Sequence, residues 1–169
     1  MRIVTGVRDP VARNISAFFQ NLSSFGFDPH GIDTQDIDTL IASYFRDFNH
    51  AEPLDWFDRE LKYCTGVDVF NHDLTGDYSI IDSSRSAIIL KTEAEDSKKE
   101  VGIQAFTGQN IHLTRKNVAE QKLYSSAYEA FLKKIEFPKE YLDKMYFSKY
   151  CKHFYSPEEL RNFRAKWEK

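Results

Sequence analysis

Arg8, Arg13 and Ser16 are the residues whose types and spacing point most directly to chemistry. They sit in Val7-Arg8-Asp9-Pro10-Val11-Ala12-Arg13-Asn14-Ile15-Ser16, where a strand turns into a helix. Asp9 is placed to accept from the free N–H groups of a first helical turn, and Pro10 suits the first helical position because it has no N–H to lose. Those N–H groups and the helix dipole make a cradle for a phosphate-like anion. Arginines at the same end are unfavourable by about 0.3–1 kcal/mol each when exposed. Something anionic is expected to compensate. It is either a bound anion or a carboxylate such as Asp9, in a chain with Asp+Glu 26 against Lys+Arg 23.

The elements that must position these residues follow from hydrophobic spacing. Ile3, Val4 and Val7 with Thr5 and Gly6 predict a short buried strand, and Val11, Ile15, Phe18, Phe19 and Leu22 form one helical stripe after it. Thr34, with Gln35 and Asp36 behind it, is expected to cap a second helix carrying Ile37, Leu40, Ile41, Tyr44, Phe45 and Phe48. Pro53 starts a third, with Leu54, Phe57 and Leu61 on one face and Gly66 closing it. Val67 to Phe70 and Tyr78 to Ile81 read as short strands around a polar turn. Ser86 to Lys91 is the clearest buried strand after the first. A surface helix from Glu93 to Phe106, a long helix from about Lys116 to Ile135 and a helix started by Pro138 follow. A last helix is capped by Ser156 and Pro157, with Glu159 completing a capping box and Leu160, Phe163 and Trp167 as its stripe. The fold class is α/β, a small parallel sheet with a mostly helical C-terminal half.

Other chemistry-bearing residues read as structural. Asp55, Asp58, Arg59 and Glu60 alternate in charge along the third helix, the pattern of a solvated face, although a carboxylate there would suit proton abstraction. His153 has no carboxylate partner assignable from sequence and reads as packed or solvent-facing. Lys122 falls nearly opposite Tyr124 and reads as exposed.

Composition bounds the rest. The 169 residues, 41% hydrophobic, suffice for one domain with a real core, residues 1–169. Fourteen Phe and nine Tyr point to aromatic packing. A net charge of -3 and a pI near 6.0 speak against sequence-independent nucleic-acid binding. Cys64 and Cys151 lack metal-ligand spacing, so neither zinc nor a disulfide framework is indicated, and a reduced cytoplasmic setting fits. No apolar run is long enough for a membrane span. A nucleotide kinase of the P-loop type is disfavoured because Gly-Lys-Ser/Thr is absent.

The run Val-Arg-Asp-Pro-x-x-Arg-x-x-Ser resembles the 3'-phosphate-binding motif of sulfotransferases that use 3'-phosphoadenosine 5'-phosphosulfate (PAPS). Asn117-Val118-Ala119-Glu120-Gln121-Lys122-Leu123-Tyr124, Tyr128, His153-Phe154-Tyr155-Ser156-Pro157-Glu158-Glu159-Leu160 and Lys166-Trp167 are similar to the carboxyl-terminal part of carbohydrate sulfotransferase-like proteins, and most of all to capsular polysaccharide synthesis proteins. The resemblance implies a partial P-loop-like sulfotransferase fold. It implies PAPS as co-substrate with no metal, and Arg8 and Ser16 on the 3'-phosphate with Arg13 assisting. It also implies a carbohydrate or polysaccharide acceptor, shaped in part by Trp56 to Leu61. The glycine- and hydroxyl-rich loop that holds the 5'-phosphosulfate in such enzymes has no match. Thr5-Gly6 and Thr107-Gly108 are too sparse, and the chain reads as truncated at its N-terminus or as a shortened relative. The catalytic base stays unassigned. The expectation is a sulfotransferase-like protein inactive as an isolated chain; the alternative is a non-catalytic nucleotide-binding remnant or interaction module. Exposed apolar surface and self-association are expected with it.

Overall fold

The computed structural model describes residues 1–29, 31–32, 37–74, 76–81, 86–114 and 124–169. Thr34, Gln35, Asp36, the 117–123 run and Lys122 lie outside them.

Among the described residues three strands form the sheet, in the order β1 (Arg2–Val7), β3 (Ser86–Lys91), β2 (Tyr78–Ile81). The sheet is small, as expected, but mixed: β1 runs parallel to β3, with Val4 opposite Ile88, whereas β2 is antiparallel to it. Consecutive strands joined by a short connection can only fold back on each other, and this sets the direction of β2. Val67 to Phe70 is not a strand. The Asp68 side chain accepts from Phe70 N at 3.1 Å and turns the chain into a 3-10 segment, Val69–Asn71.

β1 is half-buried rather than buried. Val7 packs in the main core while Val4 is 54% exposed, because β1 is the sheet edge and the helix on that face, α4 (Asp96–Thr107), packs over β2 and β3. Gly102 permits this packing: a Cβ there would come within 2.6 Å of the Tyr78 ring. Glu93 lies ahead of α4 instead of starting it.

Helices pack on the other face. α1 (Pro10–Gln20) buries Val11, Ile15, Phe18 and Phe19. α2 (Ile37–Asp47) packs on α1, with the Tyr44 and Phe18 rings edge to face at 5.4 Å. α3 (Glu52–Trp56) runs on through a π-helical stretch, Phe57–Lys62, to a last turn, Tyr63–Thr65, closed by Gly66 at φ 77. Its wider turn keeps Phe57 and Leu61 in the core. α5 (Ser125–Lys134) contributes Phe131 to the same aromatic cluster, 5.1 Å from Phe19.

The C-terminal part is a chain of short helices: α6 (Lys139–Tyr146), α7 (Lys149–Phe154) and α8 (Pro157–Trp167). Ser148 separates the first two by capping α7 through Cys151 N at 3.2 Å. Ser156 and Glu159 form the expected capping box. Among the described residues no helix is long and apolar enough to cross a membrane.

Candidate functional site

The site is built where β1 ends and α1 begins. Asp9 is 3% exposed, and its carboxylate takes three donors. Val11 N, at 3.0 Å, makes it the α1 cap; the Tyr146 hydroxyl, at 2.9 Å, reaches the same oxygen, and Trp167 Nε1 reaches the other at 3.0 Å. The Asp9 N–H donates to Glu93 Oε1 at 2.6 Å, and the second Glu93 oxygen accepts from Tyr155 Oη at 3.3 Å. Tyr150 Oη accepts from Arg8 N and donates to Arg8 O, both at 2.9 Å. The turn is therefore fastened by four aromatic side chains, Tyr146, Tyr150 and Trp167 from the last three helices and Tyr155 just past the second of them. Burial pushes the Tyr146, Tyr150 and Tyr155 hydroxyls far above the ordinary phenol range, and the Asp9 charge adds to the effect on Tyr146. They stay protonated and keep donating.

With the Asp9 carboxylate so engaged, it does not neutralise the arginines. Among the described residues neither Arg8 nor Arg13 forms an ion pair; Arg13 Nη1 only donates to Asn14 Oδ1, at 3.3 Å. Both line one cleft of about 210 Å3 at the carboxyl end of β1, the end at which open α/β sheets bind ligands. Thr5 and Gly6 form one side, Pro53, Trp56 and Phe57 from α3 another, and Tyr150 completes it. Two guanidiniums beside a helix N-terminus, with an indole on the facing wall, suit an anion attached to a ring. The cleft is smaller than the roughly 300–1,000 Å3 typical of a site for a drug-sized ligand, so it takes one end of such a molecule.

Ser16 stands one turn beyond Arg13 on α1, outside the cleft lining, and its hydroxyl accepts from Gln20 Nε2 at 3.4 Å. The structure thus brings Arg8 and Arg13 together and leaves Ser16 beside them.

The α3 charges form a surface network. Arg59 reaches Glu52 at 2.6 Å, Glu60 at 3.2 Å and Asp55 at 3.5 Å, and Asp58 pairs with Lys149 at 3.1 Å. His153 is packed, with Nε2 on Val69 O at 3.0 Å and its ring 5.0 Å from Phe70. Sequence reasoning missed Tyr150 and Glu93. The recurrence of Tyr146, Tyr150 and Tyr155 at four- and five-residue steps was their one signal, and it names no partner.

No curated protein and no solved structure matches the chain. A family model matches residues 30–156, a span that contains Trp56, Glu93 and Tyr150 and begins after Arg8, Arg13 and Ser16. The chain belongs to the family described as "Putative capsular polysaccharide synthesis protein".

Proposed function

We propose that the Arg8 and Arg13 cleft binds the 3'-phosphate end of PAPS, and that the chain is a sulfotransferase-like protein of polysaccharide synthesis, whose reaction moves a sulfuryl group from PAPS to a carbohydrate hydroxyl. The observation that carries this reading is the pair of guanidiniums, without a carboxylate partner among the described residues, in a ring-walled cleft at the α1 N-terminus. Guanidinium forks match phosphate oxygens bidentately, and the helix dipole adds to the same attraction. The cleft volume suits a phosphate with its ribose. In such a transfer the acceptor oxygen attacks sulfur in line, and fixed positive groups stabilise the charge that develops on the bridging oxygen.

A second reading, a nucleotide-binding module without turnover, has its own observation. The cleft lining holds no His, Asp, Glu or Lys among the described residues, and the Tyr150 hydroxyl is committed to the Arg8 backbone. Nothing there takes a proton from an acceptor hydroxyl at neutral pH.

Adenosine 3',5'-bisphosphate tests both readings. It is expected to raise the melting temperature where adenosine 5'-monophosphate does not, and Arg8→Ala is expected to abolish the shift. No shift in a well-folded sample overturns both. Transfer of radiolabelled sulfate from PAPS to mixed polysaccharides then separates enzyme from module.

A further inference from the structure

We propose that a second groove, next to the arginine cleft, binds the neutral, hydroxyl-rich part of a carbohydrate acceptor. The proposal rests on the reading of the cleft as a donor site. The groove, about 400 Å3 and open, runs between the outer face of α1 and the turn joining α2 to α3. Arg13 lines both cavities, and the consecutive residues Glu52 and Pro53 line one each. The two spaces therefore adjoin at Arg13 and the start of α3.

The groove's chemistry differs from the cleft's. Beside Arg13 and Ser24, its polar wall carries side-chain amides and carboxylates, Asn21, Asn49, Asp47 and Glu52. A sugar hydroxyl both donates and accepts, and planar amide and carboxylate groups can engage neighbouring hydroxyls in pairs. The amides are held in place by their own backbone. Asn21 Nδ2 donates to Ala17 O at 2.7 Å, and Asn49 Oδ1 accepts from Ala51 N at 3.2 Å. Neither contact uses up the group's capacity. Phe25 and Phe48, with ring centroids 6.0 Å apart, line the same groove and supply apolar surface for the C–H face of a pyranose.

With the donor bound, the charges select a neutral sugar over an acidic one. Asp47 is paired with Arg46 at 2.8 Å, and Glu52 with Arg59 at 2.6 Å. Arg13 also lines the groove, but in the donor reading its charge is met by the nucleotide phosphate. An added carboxylate then meets two carboxylates whose cations are already engaged, and like charges brought together repel.

The test follows side-chain and backbone amide signals by heteronuclear NMR. The full chain, saturated with adenosine 3',5'-bisphosphate, is titrated with methyl glucoside, methyl galactoside, methyl N-acetylglucosaminide and, separately, glucuronate. At least one neutral sugar is expected to shift the Asn21 and Asn49 side-chain signals saturably, with no matching response to glucuronate. Asn21→Ala, an exposed substitution, is expected to weaken that affinity about fivefold, the worth of one neutral hydrogen bond, while the response to adenosine 3',5'-bisphosphate is unchanged. No saturable shift with any neutral sugar, equal binding of glucuronate, or unchanged affinity in Asn21→Ala overturns the proposal. A sugar response that persists without any nucleotide response supports the groove and removes the donor reading alone.

Discussion

Trp167 and Asp9 stand 158 positions apart and meet at 3.0 Å, indole N–H to carboxylate. The same carboxylate caps α1 and accepts from Tyr146. One buried group thus closes the first helix, anchors the last, and fixes the turn that carries Arg8. Fold stability and site geometry are linked through it.

Asp9→Ala is expected to destabilise the chain by about 3–7 kcal/mol, from a lost cap of about 1 kcal/mol and two buried donors left unpaired at about 1–3 kcal/mol each. Trp167→Phe removes the N–H together with the five-membered ring, so it is expected to cost at least about 1.5–3 kcal/mol, the worth of a hydrogen bond to a charged group, with the lost packing added to it. Urea unfolding with an unchanged slope measures both. A loss under about 1 kcal/mol for Asp9→Ala would show that the hub does not hold the fold.

Arg8 behaves oppositely, because its guanidinium has no ion pair among the described residues. Arg8→Ala is expected to leave unfolding unchanged while weakening adenosine 3',5'-bisphosphate about 10- to 100-fold, the loss of one charge-assisted contact. Tyr150→Phe is expected to lower both, since it removes the hydroxyl that grips the Arg8 N–H and carbonyl together. Calorimetric titration beside thermal unfolding separates the cases; equal binding by wild type and Arg8→Ala contradicts the assignment.

What was readable in the sequence is what local chemistry decides. The α1 cap at Asp9 and Pro10, the stripe from Val11 to Leu22, the Gly66 stop and the Ser156 capping box need partners only a few residues away. The fastening of Arg8 and Asp9 by Tyr150, Tyr146 and Trp167 was not readable, because it joins residues 137 to 158 positions apart, and an aromatic stripe does not name its partner. One local misreading has a physical cause of the same kind: Asp68 bonds the backbone with its own side chain, so a turn replaces the expected strand. The helix started by Pro138 ends with its stripe at Tyr146, as read.

Alkaline pH is expected to destabilise the chain. Burial pushes the Cys151 thiol from 9.0 up to about 12, and it raises Tyr44, Tyr146, Tyr150 and Tyr155 as well. Between each unfolded and folded value the unfolded chain binds fewer protons, so stability is complete below the unfolded value and is lost as pH rises towards the folded one. Absorbance from these buried phenols should therefore rise steeply together with loss of helical signal. In the native state a thiol reagent should label exposed Cys64 and spare buried Cys151. Phenolate formation by these buried tyrosines ahead of unfolding, or two thiols reacting natively, would contradict this burial.

Acid acts through a different group. His50 Nε2 lies 2.8 Å from Tyr44 O, so that nitrogen carries the proton and Nδ1 accepts from Tyr141 Oη at 3.1 Å; Tyr141 and Tyr44 share a hydroxyl contact at 3.0 Å. Burial holds the His50 pKa below 6.5, with the Lys144 charge adding to the effect and the Tyr44 carbonyl opposing it. A second proton would place a donor against the Tyr141 hydroxyl, which then has to find another acceptor. The unfolded chain takes that proton more readily, so the stability from neutral His50 is complete above 6.5 and falls as pH drops through the folded value. His50→Gln is expected to flatten the stability profile in this window. The lowered pKa values of Asp47 and Asp68 place their own contributions in a more acidic range. Urea midpoints across the window decide the matter: an equal slope in wild type and His50→Gln would remove His50 as the source.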